Sequence, residues 1–281
     1  MSSAPGGRGR RKERDRHPPA LKRFGQHFLS DKAILTAIVD ALAPTPNDVV
    51  VEVGPGRGSL TDILAERSGR LIGVEIDRAL ATQLRERFAA SRNVEIIEGD
   101  FLETDAAALA GDDYLLIGNV PYYITTPILF KALDPPMPRR SVFLVQREVA
   151  ERLSADSGSE SYGALSVNVA AVADVEHVLK VPASAFRPPP KVESAVVRIT
   201  PRARPLVPLE WLPGFRAFVQ AAFGHRRKQM LRVLRNVRGM SAEDAGVLLE
   251  RVGIAPTDRP EVVAPAQFAT LFEAIRGAGS G

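Results

Sequence analysis

The sequence predicts an α/β protein: a mostly parallel sheet with an antiparallel edge, covered by helices, followed by a small all-helical C-terminal domain. Three features carry that expectation. Short apolar runs alternate with amphipathic stretches up to about residue 145, which is the signature of parallel strands joined by helices. Two β runs then follow with no helical pattern between them. From about Pro205 onward the pattern is purely helical.

In chain order, residues 1–20 hold only Met1, Ala4 and Ala20 as apolar side chains and read as a disordered basic tail. Folded sequence begins near Leu21. The runs Val49–Val53, Leu71–Ile76, Val94–Ile97, Tyr114–Ile117 and Val142–Val145 read as buried strands. Between them Leu60–Glu66, Leu80–Phe88 and Pro127–Leu133 have helical spacing. The β-branched, alanine-rich run Leu165–Val178 and the alternating run Val192–Ile199 supply the antiparallel edge. Helices are expected at Trp211–Phe223, Lys228–Val237, Ala242–Arg251 and Pro265–Arg276, with breakers at Ala255-Pro256 and Arg259-Pro260. The chain thus divides into a tail (1–20), an α/β domain (21–203) and a helical domain (204–281), with no internal repeat.

The 281 residues are 45% hydrophobic and 25% charged, enough for a substantial core. Without cysteine the chain is neither a disulfide-stapled module nor a thiol enzyme, and a cytoplasmic location fits. No run is long and apolar enough to span a membrane, and the basic start lacks the apolar segment of a secretory signal. The formal charge of +4 is unevenly spread. Residues 1–20 hold six basic side chains against Glu13 and Asp15, and Phe223–Arg238 adds six more with no acid. Two basic patches on an otherwise acidic body point to a polyanionic partner.

Candidate ligand chemistry begins at Glu52-Val53-Gly54-Pro55-Gly56-Arg57-Gly58, which follows the first of these strands and opens a helix. Glycines such as Gly54 and Gly56 let a ligand approach the backbone, and a helix N-terminus offers free N–H groups. A dinucleotide fingerprint would place its third glycine at position 59, which is Ser59. Glu75, ending the second strand, can accept both hydroxyls of a ribose. Asp100, beyond the third strand, can accept from an adenine amino group, with Phe101 or Ile76 against the ring. Three acids repel a pyrophosphate but suit the sulfonium and ammonium of S-adenosylmethionine. After the fourth strand comes Asn119-Val120-Pro121-Tyr122. The Asn119 oxygen and a neighbouring main-chain carbonyl can accept both protons of an exocyclic amine and aim its lone pair at a methyl donor. Pro121 restricts the backbone and Tyr122 can stack on a base.

Together with Phe24–Leu29, Val145–Arg152, Tyr162–Val167, Phe186–Arg198 and Phe223–Arg232, these segments resemble, in order and over about residues 22–235, the ribosomal-RNA adenine N6-dimethyltransferases. The resemblance implies the Rossmann-like sheet of class I methyltransferases, S-adenosylmethionine as methyl donor, no metal, and activity as a monomer. It also implies dimethylation of two adjacent adenines near the 3′ end of 16S rRNA within the immature small ribosomal subunit. Cofactor contacts carry over to His27, Leu29, Gly54, Glu75, Asp100 and Asn119, and the second aromatic that sandwiches the flipped adenine to Phe186. Tyr123 departs from the asparagine more common there, and Arg57 is an unusually bulky residue for its loop, expected to point outward.

The basic segment with Arg226, Arg227, Lys228 and Arg232 is expected to begin a helix and grip RNA phosphates. Two rival readings stand beside this one. The first is a 23S-directed relative that confers macrolide resistance; the second is a non-catalytic nucleic-acid binder on the same fold.

Overall fold

The computed structural model describes residues 28–225 and 227–278. The tail 1–20, His27 and Arg226 lie outside the described residues.

Seven strands form one sheet and two short ones a separate ribbon. In chain order the first half gives β1 (Phe28–Leu29), α1 (Lys32–Leu42), β2 (Val49–Val53), α2 (Ser59–Arg67), β3 (Arg70–Glu75), α3 (Arg78–Arg87), β4 (Val94–Glu98) and α4 (Ala106–Ala110). Next come β5 (Leu115–Asn119), α5 (Thr125–Ala132), β6 (Arg140–Gln146), α6 (Arg147–Leu153), α7 (Ala164–Ala170), β7 (Ala173–Val181), β8 (Phe186–Arg187) and β9 (Ser194–Pro201). The large sheet runs β4-β3-β2-β5-β6-β9-β7. Its first five strands are parallel, whereas β9 is antiparallel to both β6 and β7. The antiparallel edge expected from the sequence is present.

Strand alternation divides the core between two faces. Val50, Leu71, Leu115, Ile117, Val142 and Leu144 pack under α1 and α2. Val51, Val53, Ile72, Val74, Leu116 and Phe143 face the opposite way, toward α4 to α7 and the C-terminal helices. Asp31, Asp77 and Asp105 cap α1, α3 and α4 by accepting backbone N–H bonds from the first turn.

One element differs from expectation. The run Leu165–Val178 is not a single strand; its first part is α7, and only from Ala173 does it become β7. Leu165, Ser166, Val167, Asn168 and Val169 are all buried, so α7 has no polar face and no helical periodicity for a sequence to display. Its start is tied down twice. Ser166 Oγ accepts from the Gly163 N–H at 3.1 Å and donates to the Arg152 carbonyl at 2.6 Å.

The C-terminal region is helical, with α8 (Leu212–Gly224), α9 (Met230–Arg238), α10 (Ala242–Arg251) and α11 (Pro265–Ala278). Tyr162, just before α7, joins it to the sheet. The Tyr162 hydroxyl donates to the Val263 carbonyl at 2.7 Å, and its ring meets Phe223 edge-on, 6.0 Å between centroids. On α8, Arg216 donates to the Leu133 carbonyl at 2.9 Å and pairs with Asp134, holding the end of α5. Among the described residues no helix is long and apolar enough to cross a membrane.

Candidate active site

One open cleft lies at the carboxyl ends of the parallel strands, the place where an open α/β sheet binds ligands. Counted with the solvent at its mouth it holds about 870 Å³, within the ordinary range for small-molecule sites.

The first wall is built by the turns after β2 and β3. Gly54, Gly56 and Gly58 have φ of 63°, 60° and 79°. These left-handed values favour glycine, and at Gly58 a Cβ would also stand 2.8 Å from Leu84 Cδ2. The backbone therefore curls tightly enough to bring the Gly56 N–H to a buried acid. Glu75 accepts from the Gly56 N–H at 2.8 Å and from the Asp77 N–H at 2.9 Å. Burial pushes the Glu75 carboxyl above its ordinary range, partly offset by those two bonds. Glu52 is 1% exposed and accepts from Thr61 Oγ1 at 2.7 Å; burial pushes its carboxyl up to about 8. Ile76 stands half-exposed over this wall. Arg57 also lines the cleft rather than pointing outward, because the glycines on either side of it turn the chain back on itself.

The second wall follows β5. Asn119 is the last residue of that strand, and Pro121 begins a single 3₁₀ turn over Tyr122–Ile124. The Pro121 carbonyl closes the turn, accepting from the Ile124 N–H at 3.1 Å and Thr125 Oγ1 at 3.2 Å. The Tyr122 hydroxyl and Ser194 Oγ, on β9, are 2.8 Å apart, which fixes the ring against the antiparallel edge. Phe186 reaches the same cleft from far along the chain. Strand β8 pairs with β1 in the small ribbon, Leu29 opposite Phe186, and both side chains line the cleft while nearly fully buried.

The cleft thus unites Leu29, Gly54, Gly56, Glu75 and Ile76 with Asn119, Pro121, Tyr122 and Phe186. It does not include Asp100 or Phe101. Asp100 lies beyond β4 with its Oδ1 accepting from the Leu102 N–H at 2.9 Å, so that this oxygen shapes its own turn. Phe101 is a correction: its ring is buried in the core on the far side of that turn. Lys131 Nζ, on α5, lies 5.8 Å above it and donates to the Leu102 carbonyl at 2.7 Å. A polar turn so close to the core leaves an aromatic neighbour nowhere better to go.

The basic residues also differ from expectation. Arg227 and Lys228 precede α9 rather than lying on it: the Lys228 N–H donates to the His225 carbonyl at 2.7 Å, and α9 starts only at Met230. Arg227, Lys228 and Arg232 are exposed and pair with no acid among the described residues. On α9, Met230, Val233 and Leu234 are buried while Arg232, Arg235 and Arg238 face outward. Thr61, Ser194 and Lys131 are contributors that the sequence does not single out. Each acts through a pairing across elements, and only spatial proximity reveals it. Among the described residues no cluster of His, Asp or Glu could hold a metal ion.

A parallel sheet with an antiparallel edge, a left-handed glycine turn holding a buried strand-end acid, and an Asn-x-Pro-Tyr turn opposite define an S-adenosylmethionine-dependent amino-methyltransferase. Comparison with known proteins gives the particular family. The family described as "Ribosomal RNA adenine dimethylase" matches residues 20–276. A "Ribosomal RNA small subunit methyltransferase A" of Caldanaerobacter subterraneus is 40% identical over 261 residues, 91% of this chain and 97% of that one. A protein of the same description from Bordetella avium is 42% identical over 263 residues, 92% of this chain and 97% of that one. The solved structure of the 23S rRNA methyltransferase ErmE is 29% identical with a TM-score of 0.69, covering 89% of this chain and 99% of that one. A dimethyladenosine transferase of Plasmodium falciparum, 24% identical, shares the fold with a TM-score of 0.77 over 90% and 98% of the two chains. The chain belongs to the ribosomal RNA adenine dimethylase family.

Proposed function

We propose that the protein transfers four methyl groups from S-adenosylmethionine to N6 of two adjacent adenines near the 3′ end of 16S rRNA. The proposed substrate is the immature small ribosomal subunit, met in the cytoplasm by a monomer. The observation that carries this reading is the convergence of two walls on one cleft: the glycine turn with Glu75, and Asn119 beside the Pro121–Tyr122 turn.

The first wall fits the cofactor. Each Glu75 oxygen takes one backbone N–H and keeps lone pairs for a ribose hydroxyl. Glu52 stands in the cleft where an ammonium would draw it into its charged form. When bound, S-adenosylmethionine supplies an electrophilic methyl group. Asn119 Oδ1 accepts one amine proton. The Pro121 carbonyl is taken up by its own turn, so the partner acceptor is the Val120 carbonyl beside it. Holding the amine so positions its lone pair, and orientation of this kind is worth roughly 7–11 kcal/mol, more than the ~10²–10⁴-fold of a general base. No base is needed at the moment of transfer, and the product ammonium releases its proton to solvent. The monomethyl amine still has one proton for Asn119, so the same pocket serves both rounds.

Adenine N6 is out of reach in a stacked helix, so the base is turned outward between Tyr122 and Phe186. Aromatic stacking returns about 1–3 kcal/mol against an unstacking cost of a few kcal/mol. Residues 204–281 act as the RNA-gripping unit, with Arg226, Arg227, Lys228 and Arg232 on phosphates.

The relatives described as small-subunit methyltransferases, about 40% identical, favour this target over the 23S rRNA on which ErmE acts. Primer extension on both rRNAs, after incubation of under-methylated subunits with purified protein, tests it. Stops at two adjacent adenines of 16S rRNA are expected; stops confined to 23S rRNA, or none, overturn it.

A further inference from the structure

Tyr123 takes no part in that scheme. Among the described residues it is the one strongly exposed aromatic, 62% exposed, and it lines the cleft directly beside Tyr122. The two neighbouring rings are treated oppositely by the fold. Tyr122 is half-buried and bonded to Ser194. Tyr123 makes no side-chain hydrogen bond or ring contact with any described residue. Packing therefore gives no reason for a large aromatic at this position. Tyr123 shares the cleft with Ile76, Pro121, Tyr122 and Phe186, so its exposed ring extends an apolar lining that a flat-faced ligand can cover.

Its base is rigid. Pro121 opens the 3₁₀ turn, and the Pro121 carbonyl is held by both the Ile124 N–H and Thr125 Oγ1. A ring on a fixed backbone, with two side-chain torsions, loses little freedom when a ligand lands on it. Tyr123 lines the same cleft as both walls but has no role in either, and its exposure leaves the ring open to solvent, where RNA flanking a bound target base would pass.

We infer that Tyr123 is a stacking platform for the nucleobase adjoining the target adenine, and that it makes the enzyme sensitive to the identity of that neighbour. The inference rests on the RNA-adenine reading above. A base whose partner has been flipped out presents a bare face at the gap, and an exposed tyrosine can cover it. Stacking on one aromatic changes affinity roughly 5- to 100-fold, and the two-ring face of a purine covers more of a tyrosine than the single ring of a pyrimidine. Where two adenines are adjacent, the neighbour so held is itself the other target.

The test compares the wild type, Tyr123→Phe and Tyr123→Ala on under-methylated small subunits whose target adenine is followed or preceded by adenine or by uridine. kcat/KM is read for the unchanged target, and S-adenosylhomocysteine affinity is read on the same preparations. The wild type and Tyr123→Phe are expected to favour the adenine neighbour several-fold. Tyr123→Ala is expected to lose at least about fivefold on that substrate, little on the uridine one, and nothing in S-adenosylhomocysteine affinity. Equal loss on both substrates, or no loss on either, overturns the inference. A wild type that methylates neither substrate fails the proposed function instead, so the two failures are distinguishable.

Discussion

The two walls of the cleft are built by different means. The cofactor wall is backbone: three left-handed glycines and a strand-end acid held by the N–H groups of Gly56 and Asp77. The target wall is side chains. Its turn is closed by Thr125, Tyr122 is held by Ser194, and Phe186 is carried in by a two-stranded ribbon. On the proposed function, the wall of backbone serves a ligand that is the same in every turnover. The wall of side chains anchored from distant strands then serves a base that must arrive, be modified twice and leave.

The largest expected effect falls on the target wall. Asn119→Ala removes the acceptor that orients the amine, and methyl transfer should drop by at least about 10³-fold in a labelled-methyl assay. On the cofactor wall, Glu75→Gln keeps the shape but turns an amide N–H₂ toward the Gly56 or Asp77 N–H. The amide also leaves one acceptor oxygen where the carboxylate offers two to the ribose hydroxyls; a bond to a charged acceptor is worth about 1.5–3 kcal/mol, so S-adenosylhomocysteine affinity measured by calorimetry should fall about 10- to 100-fold.

The acids also set a pH dependence. The Glu52 carboxyl is raised from 4.5 to about 8 in the folded protein, chiefly by burial. The stability linked to its neutral form is fully present below about pH 4.5 and is lost as pH rises to about 8. Wild-type Tm should therefore decline across that window, and Glu52→Gln, which keeps the bond from Thr61, should flatten the decline. An unchanged slope would mean that Glu52 is ionised in the fold. The smallest effect is expected for Tyr122→Phe. It removes the bond to Ser194, worth about 1 kcal/mol, and should lower kcat/KM roughly fivefold while leaving S-adenosylhomocysteine binding unchanged.

The same contrast explains what the sequence made legible. The cofactor wall is local: Glu52 to Gly58 occupies one turn, and the run Val49–Val53 before it coincides with β2. Spacing alone therefore exposes it, down to the rejection of a dinucleotide at Ser59. The target wall is legible only where it too is local, at Asn119 to Tyr122. That Phe186 stands beside Leu29, or that Ser194 holds Tyr122, depends on strand register between segments far apart in the chain. No local pattern encodes that register. Helix α7 was hidden for another reason, since burial on every side erases the polar face that betrays a helix. Phe101 shows the converse risk: adjacency to Asp100, a candidate ligand contact, suggests a ring near a ligand, while the apolar ring lies in the core.

The division of labour between the walls is tested most directly by reading S-adenosylhomocysteine affinity and methyl-transfer turnover side by side for Asn119→Ala and Glu75→Gln. A crossed pattern is predicted: Asn119→Ala binds the cofactor product within a few-fold of wild type but transfers no methyl group. Glu75→Gln binds it weakly yet regains turnover at saturating S-adenosylmethionine. Near-normal turnover by Asn119→Ala, or parallel losses of both properties in both variants, would contradict it.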